Sequence, residues 1–384
     1  MPSTVYFDQA ATSYPKPLPV LRAVNDALRI YGGNPGHGGH RMAMRAAEKV
    51  YETRQLAAAL FGAEPENIIF TLNCTHALNI AIQGVMADGG HIVLSMLDHN
   101  ASLRPAAELV RRGKVRVSHF AVYEGEPERT LDALKAVLRR DTKAVVCTHA
   151  SNVSGVILPV KEIAEICRQR GILFILDAAQ TAGVLPVTLA ETGADIICTA
   201  GHKSLWGAAG TGLMILQPGV TLPPLMEGGT GINSLLDTMP DAPPERYEAG
   251  TLNLPGIMSL GAGIKEVMRL TPEGIYRREM RLAARFDRQL REIPGIALYN
   301  RSFELGKNVP TISFTVRELD SAAVSEQLSD MGFMLRGGYH CAALAHDLLG
   351  TREHGTVRFS CGVGALPAQV DALCGVLKKI AAKG

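Results

Sequence analysis

The chain has 384 residues, of which 47% are hydrophobic and 20% are charged, and its 39 Lys and Arg nearly balance its 37 Asp and Glu. This composition excludes a disordered chain, and a length of this order predicts about two or three domains with a large buried core. The basic residues form no stripe that could follow a phosphate backbone, so we expect a small substrate and no nucleic acid partner.

Seven cysteines are present, and no two of them form a CxxC pair. The first residues, MPSTVYFDQAATSYPKP, have neither the basic start nor the apolar core of an export signal. We therefore expect reduced thiols and a cytoplasmic protein. The longest uncharged stretch, residues 204–226, is interrupted by glycines and prolines, which predicts a strand with turns rather than a membrane span.

Short β-branched runs alternate with helical patterns between about residues 45 and 217. This alternation predicts βαβ units and a mainly parallel sheet. Seven strands are predicted, at residues 68–71, 91–96, 115–122, 144–148, 172–176, 196–199 and 212–216. Apolar residues at three- and four-residue steps predict helices between them, at residues 46–60, 77–86, 131–139 and 160–170.

The sequence also predicts how the chain is divided. Residues 228–255 are rich in Gly, Pro and acidic residues, which is typical of an exposed connection. A strand at 311–315, a helix from Ser321 and a last amphipathic helix at 367–382 follow it. We expect an α/β protein with an N-terminal segment at 1–15 packing near the active site, a large domain at 16–255 and a smaller α+β domain at 256–384.

Two polar residues follow neighbouring predicted strands. Asp177 ends the run ILFILD, and Lys203 follows the next strand in TAGHKS. Each alone also fits an ordinary cap or solvated strand end. Because ligands of open α/β sheets collect beyond the carboxyl ends of strands, the two together suggest a pyridoxal phosphate (PLP) site. Lys203 would form a Schiff base with the cofactor, and Asp177 would keep its pyridine nitrogen protonated.

Two further strand ends fit the same cofactor. Cys74, Thr75 and His76 lie at a strand–turn–helix junction, where helix amides and a hydroxyl could bind a phosphate dianion. His99, after the strand HIVLS, could lie over a planar ring and move protons. A helix cap and a core or surface histidine are the alternative interpretations of these residues.

An ordered series of motifs resembles that of the PLP-dependent class V aminotransferases, and among them the second group of cysteine desulfurases. The series covers nearly the whole chain and reads VYFDQAATSYPKP, NPGHGGH, LDHNAS, THASNVSG, LDAAQ, TAGHKS, YEAGT, RGGYHCA and VRFSCG. The resemblance implies the type I fold of PLP-dependent transferases, with a mainly parallel seven-stranded sheet and a smaller α+β C-terminal domain. It also implies a homodimer with shared active sites.

The resemblance implies a role for each matching cofactor residue. Lys203 would bind the cofactor covalently, and His202 would help to hold its phosphate. Asp177 would contact the ring nitrogen, Gln180 the ring hydroxyl, and His99 would stack on the ring as a catalytic residue.

Other positions are implied to contact the substrate or the partner subunit. Asn152 would lie near the ring hydroxyl and the substrate, and Thr251 would reach the phosphate bound in the partner subunit. Arg358 would bind the substrate carboxylate through two parallel hydrogen bonds. Ala11 and His40 would come near the substrate from the N-terminal part of the chain. The spacing of His37 and His40 resembles a metal site, but no third ligand is evident and we expect no metal.

The RGGYHCA motif distinguishes desulfurases from other members of the family. It implies that Cys341 attacks the sulfur of L-cysteine, holds it as a persulfide and releases L-alanine. We predict that Cys147, Cys167, Cys198 and Cys374 are buried core residues instead, because each lies in an apolar pattern. Cys74 and Cys361 fit either interpretation.

Two departures from the family pattern affect the phosphate end of the predicted site. Ala200 and Cys74 stand where relatives often have hydroxyl residues. Phosphate binding would then depend more on Thr75, His202 and Thr251.

The resemblance finally implies a separate protein that accepts the sulfur. Iron–sulfur cluster assembly is one process that such an acceptor supplies with sulfur. Selenocysteine lyase, cysteine sulfinate cleavage and other class V PLP chemistry remain alternatives on the same fold. An inactive PLP-fold protein acting as a sulfur carrier or scaffold is an alternative of another class.

Overall fold

The computed structural model describes residues 4–36 and 39–383. In chain order its strands are β1 Val5–Tyr6, β2 Ile68–Thr71, β3 Gly90–Ser95, β4 Val115–Phe120, β5 Thr142–Thr148, β6 Leu173–Asp177, β7 Ile196–Ala200, β8 Gly212–Leu216, β9 Ile296–Leu298, β10 Thr311–Val316, β11 Phe333–Met334, β12 Arg336–Gly338 and β13 Thr356–Ser360. The α-helices are α1 Leu18–Arg29, α2 Arg41–Phe61, α3 Cys74–Val85, α4 Asn100–Arg111, α5 Pro127–Val137, α6 Val160–Gln169, α7 Leu189–Thr192, α8 Leu254–Leu270, α9 Pro272–Arg291, α10 Ser321–Asp330, α11 Ala343–Leu349 and α12 Pro367–Lys383. A 3₁₀ turn spans Pro65–Asn67.

Seven strands form the main sheet in the order β2-β8-β7-β6-β5-β3-β4. Strand β8 is antiparallel to both neighbours, and the other neighbouring strands are parallel. The predicted strands and the mainly parallel sheet are therefore confirmed. Because β5, β6 and β7 are parallel neighbours, their carboxyl ends meet at one edge of the sheet.

Continuous apolar runs form these strands because both faces of the sheet are covered. Phe174 and Leu176 pack into the core on one face, whereas Ile175 packs into the core on the other. Helix α8 packs against α1 and α2, and its Ile257 and Leu260 belong to the first of these cores. None of the helices in the described ranges is long and apolar enough to cross a membrane.

A second, antiparallel sheet has the order β12-β13-β10-β9. Its core contains stacked Phe286 and Phe359, whose ring centroids are 4.1 Å apart. The N-terminal segment packs against this sheet: β1 forms a separate parallel pair with β11, and Phe7 is buried in the same core. The boundaries placed at residues 15 and 255 stay predictions.

Candidate active site

A cavity of about 210 Å³ opens at the carboxyl ends of the central parallel strands. Its lining draws on both sheets, on the start of α3 and on the N-terminal segment. The residues that line it are Ala10, Ala11, Asn73, Cys74, Thr75, His99, Ala101, Thr148, Asn152, Asp177, Ala179, Gln180, Ala200, His202, Lys203, Arg336, His340 and Arg358. Ten of the fourteen predicted site residues thus come together in one place.

The floor of the cavity is formed by Asp177, the last residue of β6, and by Lys203, which follows the paired strand β7. In the described part of the chain, both hydrogen bonds to the Asp177 carboxylate reach Oδ1, from the Ala179 amide at 2.9 Å and the Cys74 thiol at 3.4 Å. The second oxygen is left for a ligand. Burial lowers the pKa of Lys203 below the ordinary lysine value, although the Asp177 charge opposes this shift. The neutral, nucleophilic form of the Lys203 amine is therefore easier to reach than in an exposed lysine.

The start of helix α3 forms one end of the cavity. Asn73 caps the helix by accepting a hydrogen bond from the His76 amide at 2.9 Å, and Thr75 lines the cavity beside it. Strand β8 approaches this turn so closely that a Cβ on Gly212 would lie 2.5 Å from the Asn73 backbone. The His76 ring does not reach the cavity, because its Nδ1 accepts a hydrogen bond from the Leu72 amide at 3.3 Å.

His202 also lines the cavity and is held by the N-terminal segment. Its Nδ1 lies 3.1 Å from the Thr12 hydroxyl, and its carbonyl oxygen accepts from the Lys16 amine at 2.7 Å. Burial and the neighbouring Lys203 lower the pKa of His202 to about 4. At neutral pH its ring is therefore an uncharged hydrogen-bonding group.

His99 caps helix α4 from the cavity wall, where its Nδ1 accepts from the Ala101 amide at 3.0 Å. Burial lowers its pKa to about 4; Asp177 opposes the shift and Lys203 adds to it. The ring is therefore neutral at pH 7. Gln180 lies nearby, and its amide donates to the Ala10 carbonyl at 3.2 Å.

Arg358, on strand β13, is 1% exposed and forms the wall on the side of the smaller sheet. Its Nη1 donates to the Asn152 carbonyl at 3.1 Å, and its Nη2 donates to Asp8 Oδ1 at 2.7 Å. Its buried Nε finds no partner in the described part of the chain. Arg336 lies directly opposite Arg358 in the β12–β13 pairing and also lines the cavity.

Cys341 is exposed and is not part of the cavity lining. It follows β12 in a turn where His340 and Cys341 have φ angles of 48° and 56°. The Cys341 carbonyl accepts from the Asn100 amide at 2.7 Å, so the turn packs beside His99. Arg336 Nη2 lies 3.9 Å from the Cys341 sulfur. The six other cysteines are buried, which confirms the prediction for the four assigned to the core.

Three more predicted residues lie outside the cavity lining. His76 faces the Leu72 amide, as described above. His40 caps helix α2 by accepting from the Ala43 amide at 3.3 Å. Thr251 lines a separate cavity of about 430 Å³, where Asn34 donates to its hydroxyl at 3.5 Å. His37 lies outside the described residues.

The sequence analysis missed several wall residues, of which Arg336 and His340 are the most polar. Both belong to the RGGYHCA motif, so the motif itself was the signal. The His340 Nε2 lies 2.9 Å from the Thr356 carbonyl, and the Asn152 amide donates to the His340 carbonyl at 2.7 Å. These contacts hold the start of the Cys341 turn against the cavity.

The donor set of the cavity fits PLP. An amine whose pKa is lowered by burial matches its aldehyde, and a carboxylate with one oxygen left for a ligand matches its pyridine nitrogen. A helix N-terminus with the Thr75 hydroxyl and the His202 ring matches its phosphate. These groups line one cavity, so a single cofactor molecule can reach all of them.

The architecture is the type I fold of PLP-dependent transferases. A solved cysteine desulfurase from Thermococcus onnurineus, in its apo form, superposes with a TM-score of 0.90 at 31% identity, covering 99% of this chain and 95% of that one. The chain belongs to the class V aminotransferase family, whose model matches residues 5–373.

Two curated relatives match over almost the full length. A probable cysteine desulfurase from Methanothermobacter thermautotrophicus is 33% identical, over 99% of this chain and 95% of its own. Another from Pyrococcus abyssi is 32% identical, over 98% of this chain and 94% of its own. The family predicted from the motifs is therefore confirmed.

Proposed function

We propose that this protein is a PLP-dependent cysteine desulfurase that converts L-cysteine to L-alanine and passes the sulfur, through Cys341, to an acceptor. One observation carries the proposal: the turn with the exposed Cys341 packs against the start of α4, next to the cavity that contains Lys203 and Asp177. Full-length relatives named as probable cysteine desulfurases support it.

The cofactor would be held by groups from the ends of three strands, β2, β6 and β7. Lys203 would bind it covalently, Asp177 would hold a proton on the ring nitrogen and Gln180 would contact the ring hydroxyl. Thr75, His202 and the amides of α3 would bind the phosphate, with Cys74 packing beside them. When bound, PLP supplies an electron sink that makes the bonds of the substrate α- and β-carbons labile.

Arg358 would bind the substrate carboxylate. Its guanidinium is buried and lines the cavity, and in the described part of the chain each Nη makes one hydrogen bond, so the second N–H of each can donate to an acceptor. Asn152 lies beside it, since its carbonyl accepts from Arg358 Nη1. The backbone around Ala11 would close the side of the cavity formed by the N-terminal segment.

Proton transfer would use two groups of the cavity. The Lys203 amine, with a pKa lowered by burial, can accept a proton from the substrate α-carbon and return it to the product. The neutral His99 ring lies close enough to Asp177 and Lys203 to respond to their charges, and it can stack on the cofactor and relay a proton.

The sulfur transfer balances without an outside oxidant. The Cys341 thiolate attacks the sulfur of the substrate, a new S–S bond forms and the C–S bond of the substrate breaks. The Cys341 sulfur is oxidised to a persulfide, while the substrate β-carbon is reduced and, after gaining a proton, becomes the methyl group of alanine. The exposure of Cys341 lets an acceptor thiol collect the outer sulfur afterwards.

The working protein would be a homodimer in the cytoplasm. Thr251 lies away from the described cavity, as expected for a residue that completes the site of a second subunit. Apolar side chains in this chain are left exposed, including Leu72, Leu235 and Leu236, and a second copy would cover them. All seven cysteines are free thiols, which fits a reducing compartment.

The proposal is tested by replacing Cys341 with Ala. We expect this variant to lose sulfide release from L-cysteine while it keeps the visible absorbance of the bound cofactor. Cys374→Ala, which removes a buried thiol of α12, is the matched control and should keep full activity. Sulfide release at the wild-type rate by the Cys341→Ala protein would refute the assignment of the nucleophile.

A further inference from the structure

The two guanidinium groups of the cavity wall create an electrostatic problem. Arg336 and Arg358 are direct partners in the antiparallel β12–β13 pairing, so their side chains lie on the same face of the sheet. Like charges placed opposite each other are unfavourable, and Arg358 is also almost completely buried. Such a pair requires a compensating negative charge.

Asp8 supplies that charge from the N-terminal segment. Its Oδ1 lies 2.7 Å from Arg358 Nη2, and its side chain is only 19% exposed. The backbone on either side of Asp8 is fixed to the end of β13, because Ser360 donates to the Phe7 carbonyl at 2.8 Å and Gln9 donates to the Ser360 carbonyl at 3.2 Å. Asp8 cannot move away without breaking these contacts.

The charged side chains of this wall, Asp8, Arg336 and Arg358, carry one net positive charge. Asp8 neutralises Arg358, whereas Arg336 forms no ion pair within residues 4–36 and 39–383. His340, which also lines the cavity, is uncharged, because burial lowers its pKa to about 2. One positive charge is left over, which matches a substrate with a single acid group.

We propose that Asp8 is a positioning residue that sets the charge specificity of the cavity, favouring an amino acid substrate with one acid group over one with a second acid group on its side chain. The inference rests on the proposed function for its choice of substrates. L-Cysteine has one acid group, and L-cysteine sulfinate has two. Asp8 would act through Arg358, by cancelling the charge that a second acid group needs.

Asp8→Asn tests this directly, since Asn keeps the size and the acceptor oxygen of the side chain but removes its charge. We expect the ratio of kcat/KM for L-cysteine sulfinate to that for L-cysteine to rise about tenfold. Asp8→Glu restores the charge and should return the ratio to within about twofold of the wild-type value. Asp8→Ala should raise the ratio in the same way as Asp8→Asn. The Asp8→Ala protein is measured instead if the Asp8→Asn protein does not fold.

A second measurement does not depend on turnover. Succinate has two acid groups and butyrate has one, so the rise in Tm that each produces compares dianion with monoanion binding by the holoenzyme. Asp8→Asn should increase the shift with succinate relative to that with butyrate. A purely structural role for Asp8 would weaken both anions alike and leave their order unchanged.

The inference is overturned if the charge-free variants keep both the wild-type substrate ratio and the wild-type order of succinate and butyrate. Failure of the proposed function gives a different result: neither amino acid yields alanine in the wild type. The succinate and butyrate comparison then still decides the role of Asp8.

Discussion

Lys203 and Asp177 lie at the ends of buried strands, whereas Cys341 lies on an exposed turn with left-handed backbone angles. Burial is what lowers the pKa of the Lys203 amine. The Cys341 thiol, in contrast, is exposed and can be reached by a second protein. One site can therefore combine a buried amine whose pKa is lowered with an exposed thiol that another protein can reach. The hydrogen bond from the Asn100 amide, next to His99, to the Cys341 carbonyl joins the exposed turn to the wall of the cavity.

The largest expected effect comes from removing the Lys203 amine at the floor of the cavity. Lys203→Ala should lower alanine formation from L-cysteine by roughly 10⁴-fold or more, because covalent cofactor binding and proton transfer both depend on it. The Cys341 thiol should still react with a thiol reagent at the wild-type rate. Alanine formation near the wild-type rate would contradict the role given to the floor.

The acid of the floor should have a smaller effect. Asp177→Asn keeps the shape but removes the charge that would hold a proton on the ring nitrogen, so we expect kcat to fall roughly 10²- to 10³-fold. Asp195→Asn is the matched control. Asp195 precedes the neighbouring strand β7 and so lies at the amino end of that strand, whereas the cavity lies at the carboxyl end. Equal losses in both variants would mean that the effect is not specific to the cavity.

The buried carboxyl group of Asp98, which contacts the cavity residue Thr148, makes a pH-dependent contribution to stability. Asp98 accepts from the Ser95 hydroxyl at 2.7 Å and from the Thr148 amide at 2.6 Å, and burial raises its pKa to about 8. The folded protein therefore keeps a proton that the unfolded chain loses at the ordinary pKa of 3.8. The contribution of Asp98 to the free energy of unfolding should therefore fall as the pH rises from about 4 to 8.

Asp98→Asn should remove this contribution and make the protein more stable than the wild type at pH 8, by roughly 5 kcal/mol. Urea unfolding at several pH values measures the effect. Asp88→Asn, at an exposed position, should leave the slope unchanged. A slope that is the same in both variants and the wild type would show that Asp98 is ionised in the folded protein.

The smallest expected effect concerns the Cys341 turn. Gly338 has a φ of 109°, which other residues rarely adopt, and no neighbouring atom would contact an added Cβ. Gly338→Ala should therefore cost about 1 to 2 kcal/mol in the turn and slow sulfur transfer about tenfold. The cofactor spectrum should not change. A change in that spectrum would show that the turn and the floor are not independent.

Parts of the site could be predicted from local sequence because they depend on neighbouring residues. An apolar run followed by a polar residue indicates a strand that delivers a side chain to the sheet edge, and this pattern identified Asp177 and Lys203. The motif RGGYHCA likewise indicated Cys341. The same reasoning missed Arg336, because its importance comes from the strand opposite it.

The sequence by itself determined the strands, the helices between them, the family and most of the residues around the cavity, since these follow from apolar periodicity and from motifs read along the chain. Only the tertiary structure decided that the Asn152 side chain donates to the His340 carbonyl, 188 positions away, and that Asp8 pairs with Arg358, 350 positions away. Contacts between distant segments depend on how two sheets and the N-terminal segment pack. No local pattern of residues specifies that packing.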